Sequence, residues 1–571
     1  MKKIFNLFIC FILLFGIFGC SASDTTTETN KEFEEFCDKV LVAYIKSSPF
    51  NANYLVSDYT DYGIRLEDFK DSEFKTKSYL KELKKFDKDD LSDDQDDLYD
   101  ILLFDLTSQV EQEKYEDKFT AFSPMKGSHY GFANNMMQFS LDSEQDIELY
   151  FHVLENISSD FDELLATEAK ISNNGNGLSN DGIDSVVEFC KQYTVDAQTH
   201  PFNYSFTDNI ANLDIDETKK AQYIAKNKEY ISLYVIPLYN KLATEISNGR
   251  DKRVNQDKGV GTLKDGKEYY QTIIRSNTGT TYSAKKWLKI SEDTLESKTT
   301  ELYSLLFSLG ENTYQEYLKG DFVTAKTPQE YMDALESNYK KLFPTLDNIN
   351  LDLDKIDANL EVENVAAYYL IPRIDSYNDN TIRYSKNISS NKDLVTTLAH
   401  EGYPGHLLQI VTAHSLDIHD LRKAYTNLYY VEGWSNYIEQ YVFDIFELDN
   451  PDIKKLANFD AELNDYLLLS VMIKYDTGVS NEELVKYSQG LGYDLKLEDI
   501  QGITSMLKDD PGVLLPYTAA PHLMQSLATH AKDELGKDYN AKEFHKVILN
   551  NPYLNYEKLL VKVNNYIDSI D

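Results

Sequence analysis

The segment HEGYPGH, His400–His406, argues for a break in whatever helix carries it. It opens with the His-Glu pair of a metal-binding pattern in which two histidines four residues apart hold zinc and the glutamate is general base. Four residues advance a helix by roughly 400°, so such histidines share a face; six advance it by roughly 600°, and they do not. Here the second histidine comes six residues after the first. Pro404 disfavours continuation of the helix, because it lacks an N–H and crowds the preceding turn. Gly405 admits backbone geometry closed to other residues. The Tyr403-Pro404-Gly405 insertion can therefore loop out and return His406 to His400. Just upstream, SSNKDLVTTLAHE offers Ser390 as a helix N-cap with Asp393 three residues on, and Leu394, Val395 and Leu398 as an apolar face. His400 and Glu401 then ride on the last turns of that helix.

A hydrolytic metal site needs three protein ligands, an open position and a base. The third ligand is expected on another segment, and NLYYVEGWSNYIEQYVFDIF reads as a helix that supplies it. Glu432, Asn436 and Glu439 fall on one face by four- and seven-residue spacing, among Tyr429, Tyr430, Val431, Trp434 and Ile438. An acidic stripe in so apolar a helix is costly to bury unless a metal or a histidine partners it. Glu432 is assigned as third ligand, Glu401 as base, and Glu439, with Asn436 on its face, as supporting or substrate-facing. One zinc ion per chain suits histidine and glutamate ligands best, although cobalt, manganese and iron also accept them.

The rest of the chain frames this site. Only 24 glycines in 571 residues, with many long amphipathic stretches, indicate a mainly α protein. That length exceeds one simple core and favours two lobes. The polar stretch NGRDKRVNQDKGVGTLKDG, residues 248–266, is the chosen boundary, giving lobes of roughly 32–255 and 256–571. Residues 173–182, NNGNGLSNDG, read as a surface loop, and Ser92 as the cap of a helix after a charged loop. AAYYLIPRID and TIRYSKN look extended, the second as an exposed or edge strand, and everything after Ser389 reads as helix and turn.

Lys2 and Lys3 followed by IFNLFICFILLFGIF form a signal peptide over residues 1–19. The stretch GIFGC resembles a bacterial lipobox, with lipid expected on Cys20 and residues 20–31 as a polar tether. The protein is thus expected outside the cytoplasm, attached to the membrane through that lipid alone. Cys37 and Cys190 either pair or remain buried thiols. A formal net charge of −38 excludes nucleic acid as a partner and is read mainly as solubility.

HEGYPGHLLQ, VEGWSNYIEQY, PGVLLPYTAAPHL and EFHKVILNNPYL together resemble the bacterial family called domain of unknown function 885, itself grouped by resemblance with gluzincin metallopeptidases. VEGWSNYIEQ is also similar to the third-ligand segment of thimet-oligopeptidase-like enzymes. The resemblance covers roughly residues 32–571 and is most specific from His400 onward. It implies a two-lobed, helical, zincin-like body with a deep channel and a small β-element beside the metal helix. It implies ligands at His400, His406 and Glu432, with Glu401 as base and Tyr517 as the donor to the oxyanion. His522 is a candidate for binding a substrate carbonyl or carboxylate. Where the family commonly has a second histidine after PGH, this chain has Leu407. SYNDNTIRYSKN likewise departs from the glycine-containing segment usual before the metal helix.

The expected activity is hydrolysis of short peptides by metal-activated water. An exopeptidase would need a group for a terminal charge, and Arg373, Arg383 and Lys386 are the basic residues nearest the extended segments. A peptide- or solute-binding lipoprotein with a non-catalytic metal, and a zinc hydrolase of non-peptide amides or esters, are the alternatives. His414, His419 and His530 are read as solvated or interfacial; His129 is a candidate for lining the channel; His545 has no derived role.

Overall fold

Reciprocal side-chain capping starts several of the helices. Ser92 caps Asp93–Gln112, with the Gln95 side chain returning to the Ser92 N–H. The same arrangement opens Glu144–Asn173 through Ser143 and Asp146, Pro328–Tyr339 through Thr327 and Glu330, and Asn481–Gly490 through Ser480 and Glu483. The computed structural model describes residues 28–570 apart from 71–72, 119, 310, 321, 325, 357–365, 387–389, 447 and 449. The expected signal peptide and lipidated Cys20 lie outside the described residues.

The chain is mainly α, and after Ser389 its regular elements are all helical, as expected. Its small sheet joins β1 (Asn350–Lys355), β2 (Ala367–Leu370) and β3 (Asp379–Tyr384) in the order β1-β3-β2. β1 runs parallel to β3, and β2 runs antiparallel to it with Tyr369 opposite Ile382. The strand expected at the edge from TIRYSKN is therefore central. Alternation reports only that one face is covered, here at Asn380 and Ile382, and a central strand over helices satisfies it equally. β2 is the edge strand next to the metal helices.

Three apolar cores hold these elements. One gathers the N-terminal helices from Phe33 to Ile246 and takes in Ile374, Leu421 and Ala424 from the second half. Another surrounds the helices that carry His400, His406 and Glu432, with Val395, Leu398, Leu407, Trp434 and Phe544. The third runs from Val260 to Leu523 around Tyr270, Trp287 and Met472. Ions tie the halves together: Arg373 reaches Asp142 at 2.9 Å, and buried Arg422 reaches Asp97 at 3.3 Å.

The structure decides several local expectations, and His419 and His530 are interfacial as expected. Cys37 and Cys190 are free, buried thiols. His129 lines no channel: it is fully buried, with Phe189 edge-on at 5.1 Å. His414 is buried rather than solvated, because its helix, His406–Ser415, is enclosed from His406 through His414. His419 pairs with Asp38 at 3.3 Å, and His530 bonds to Asn564 at 2.8 Å. The 173–182 segment is no simple surface loop, since Gly177, Leu178 and Ser179 are buried and Ser179 binds a carboxylate from the far end of the chain.

Candidate metal centre

The first metal helix runs Asn391–Glu401, its Ser390 cap accepting from the Asp393 N–H at 3.1 Å. It stops at Glu401, and a new helix, His406–Ser415, starts immediately after the Tyr-Pro-Gly turn. The Gly405 N–H donates to Ala399 at 3.0 Å, folding the turn back onto the helix it leaves. Gly405 has φ −78°, so left-handed backbone is not what demands glycine there. Close approach is: a Cβ would stand 1.8 Å from the His400 carbonyl oxygen. The Trp434 indole N–H holds the Pro404 carbonyl at 3.0 Å, and Tyr403 stacks on Tyr339 at 4.9 Å. The result sets the His400 and His406 rings 4.7 Å apart and perpendicular, which resolves the six-residue spacing.

Glu432 reaches the same point from helix Leu428–Glu439. Its Oε2 lies 3.6 Å from His400 Nε2 and 3.8 Å from His406 Nε2. One ligand atom from each of the three residues fits within 4.8 Å of the others, a spacing that could hold a metal ion. The second nitrogen of each ring is held from behind: His400 Nδ1 by Glu439 at 2.9 Å, His406 Nδ1 by Ser435 Oγ at 2.9 Å. A proton on Nδ1 would leave each Nε2 to bind a metal ion, as metal-binding histidines require. Glu432 Oε2 is buried and has no hydrogen-bond partner among the described residues. A buried carboxylate oxygen is costly to leave unpaired. Two imidazole Nε2 atoms and an orphaned carboxylate oxygen at this spacing fit a divalent ion such as zinc.

Glu401 follows His400 directly, its Oε1 4.0 Å from His400 Nε2. Its other oxygen accepts the backbone N–H of Tyr369 from edge strand β2 at 2.8 Å. Burial raises the Glu401 pKa to about 7 against the opposing pull of His400, so its carboxyl can both take and return a proton near neutrality. Burial works against a charged His400, but Glu432, Glu439 and Glu401 outweigh it and hold that ring well above an ordinary histidine. Burial, reinforced by the charge of His400, drops His406 to about 4. Glu432 ends below the usual carboxylate range, because the two histidines overcome its burial. Tyr517 sits beside these carboxylates, its hydroxyl bonded to Glu432, and the residue is 39% exposed. Burial, then Glu432 and Glu401, keep that hydroxyl protonated as a donor.

The structure thus brings together His400, Glu401, His406, Glu432, Glu439 and Tyr517. Asn436 turns its amide back to the Glu432 carbonyl at 2.9 Å instead. His522 lies stacked on Tyr466 at 3.8 Å, in the wall of a groove of about 900 Å³ that also includes Tyr441 but none of the three ligands. Arg383 stands in β3 opposite Tyr368 and Asp354 and forms no ion pair with the site carboxylates among the described residues. Arg373 is occupied by Asp142 and the Asn53 carbonyl. Sequence reasoning missed two supports. Ser435 carries a signal in hindsight, one turn from Glu432 on the same helix; the Tyr369 N–H carries none, since any residue supplies one. A cavity of about 610 Å³ begins at Leu370, one residue beyond Tyr369.

Among the described residues no helix is long and apolar enough to cross a membrane. A candidate lipoprotein from Colwellia psychrerythraea shares the fold, with TM-score 0.77 and 17% identity over 95% of this chain and 99% of that one. A candidate lipoprotein of unknown function from Shewanella oneidensis aligns at TM-score 0.55 and 14% identity, over 94% and 99%. A candidate oligoendopeptidase F from Bacillus anthracis str. Ames aligns at TM-score 0.34 and 13% identity, over 88% and 96%, too distant to bear on the fold. No curated protein matches the sequence. The model of one family, described as bacterial protein of unknown function (DUF885), matches residues 58–553, and the chain belongs to that family.

Proposed function

We propose that this protein is a zinc-dependent peptidase acting on short peptides outside the cytoplasm. The observation that carries the reading is the convergence of His400 Nε2, His406 Nε2 and the unpartnered Glu432 Oε2 beside a half-buried glutamate fixed by a strand N–H. A site that only bound metal for structure would need no such base. His400, His406 and Glu432 would hold the ion, which supplies a Lewis acid and makes bound water more acidic. Glu401 takes a proton from the attacking water and delivers it to the departing amine. The Tyr517 hydroxyl donates to the oxyanion that develops on the former carbonyl. The signal-like leader and the lipobox at Cys20 support a lipid-anchored location, in keeping with structural neighbours described as candidate lipoproteins.

The test is a mixed peptide library incubated with the soluble protein beginning after Cys20, beside Glu401→Gln, with products read by mass spectrometry and zinc by elemental analysis. The expected result is cleavage by the wild type alone, with equal zinc in both proteins; the new termini then define exo- or endo-specificity. Stoichiometric zinc with no cleavage by either protein overturns the peptidase reading in favour of binding or a non-peptide substrate.

A further inference from the structure

Tyr517 follows a segment that the N-terminal half of the chain, which contributes none of the three candidate ligands, helps to hold. Eight residues before it, the Asp509 carboxylate is buried, its side chain 1% exposed, with both oxygens hydrogen-bonded. Oδ1 accepts from Arg253 Nη1 at 2.7 Å and from the Ser179 N–H at 2.8 Å, and Oδ2 accepts from Ser179 Oγ at 2.6 Å. Arg253 also donates from Nη2 to the Lys508 carbonyl at 2.8 Å, gripping side chain and backbone together. Gly182 leaves room for this: a Cβ there would stand 2.2 Å from Asp509 Oδ2. The turn that follows is fixed at each step. Asp510 accepts the Met125 N–H at 3.0 Å, the Gly512 N–H donates to Asp476 at 3.0 Å, and Asn277 donates to the Gly512 carbonyl at 3.1 Å. Gly512 has φ +65°, which allows the sharp turn, and Leu515 is then fully buried two residues before Tyr517.

A buried ion pair contributes little net stability, since desolvation offsets most of its attraction. What this one does is fix geometry, and the segment it fixes leads directly to Tyr517. We propose that Asp509, locked by Arg253 and Ser179, is a positioning residue that sets the Tyr517 hydroxyl against the metal centre. The N-terminal half thereby takes part in the reaction through this joint. The proposal rests on the role given to Tyr517 above.

A double-mutant cycle tests it, with Asp509→Asn, Tyr517→Phe and the pair assayed on one peptide. Misplacing a reacting group by about 1 Å costs on the order of 100-fold, so Asp509→Asn is expected to lower kcat about 10- to 100-fold with KM and zinc content nearly unchanged. Combined with Tyr517→Phe, it is expected to add nothing to the loss from Tyr517→Phe alone; additive losses overturn the proposal. Ser179→Ala removes one of the bonds to Asp509 while leaving the ion pair, and is expected to show a smaller loss with the same non-additivity; it carries the test if Asp509→Asn does not fold. A readout free of activity is the ¹⁹F NMR line of 3-fluorotyrosine placed at position 517. Asp509→Asn and Ser179→Ala are expected to shift and broaden it, and an unchanged line in both overturns the positioning role. Because that signal needs no turnover, it separates failure of the joint from failure of the peptidase reading.

Discussion

Ser435→Ala is the substitution that most directly probes how the centre is built. In the wild type the Ser435 hydroxyl lies 2.9 Å from His406 Nδ1, and His406 is only 9% exposed. Water therefore has little access to replace the hydroxyl. Removing it leaves a buried ring nitrogen unpaired, at about 1–3 kcal/mol, with almost no change in packing volume. It also removes the acceptor that favours a proton on Nδ1, the tautomer in which Nε2 is free to bind a metal ion. Losing a partner of this kind typically weakens metal binding about 10- to 100-fold, which corresponds to about 1.4–2.8 kcal/mol. The assay is competition for zinc against a chromogenic chelator near neutral pH, with circular dichroism of the metal-free protein to show that the fold is kept. Ser435→Thr retains the hydroxyl and is expected to bind zinc close to wild type. A Ser435→Ala protein that folds normally and binds zinc as tightly as wild type would refute the reasoning, and would mean that packing alone orients the His406 ring.

Gly405→Ala forces a Cβ into the space 1.8 Å from the His400 carbonyl oxygen, so the turn must open. It is expected to destabilise the protein by about 1–3 kcal/mol and to lower bound zinc after dialysis, measured by thermal melting and elemental analysis. His129 has a pKa lowered from 6.5 to about 4 by burial, so the folded protein keeps that ring neutral while the unfolded chain protonates below pH 6.5. Its contribution is thus lost as pH falls from 6.5 toward 4, by about 2 kcal/mol at pH 5. His129→Phe is expected to shrink the difference in urea-unfolding free energy between pH 7 and pH 5 by about that amount; an unchanged difference would show that His129 is not buried neutral.

Reading residues in order reaches those features whose cause is local. The caps at Ser92 and Ser390 are legible because a side-chain oxygen and the N–H it satisfies lie three residues apart. Pro404 announces the end of the metal helix by its missing N–H, and the spacing of Glu432 and Glu439 places both on one helical face. Together these bring the ligand set within reach before any coordinates, since steric and periodic rules act over a few residues.

Other features depend on partners far away in the chain, and only the tertiary structure decided them. That β3 is central and β2 the edge strand follows from β1, some thirty residues earlier, closing the sheet on the far side. Glycine at 405 is required by a carbonyl brought close in space, a constraint that residue identity shows but does not explain. Burial disfavours the charged form at both His129 and Glu401, lowering the pKa of the first and raising that of the second, and the sequence around neither residue shows that it is enclosed. Asp509 looks like one of many acids in an acidic chain until Ser179 and Arg253, hundreds of residues earlier, enclose it. Periodicity determines which face a side chain takes; what that face meets is set by the packing of distant segments, and the chemistry of this site is decided there.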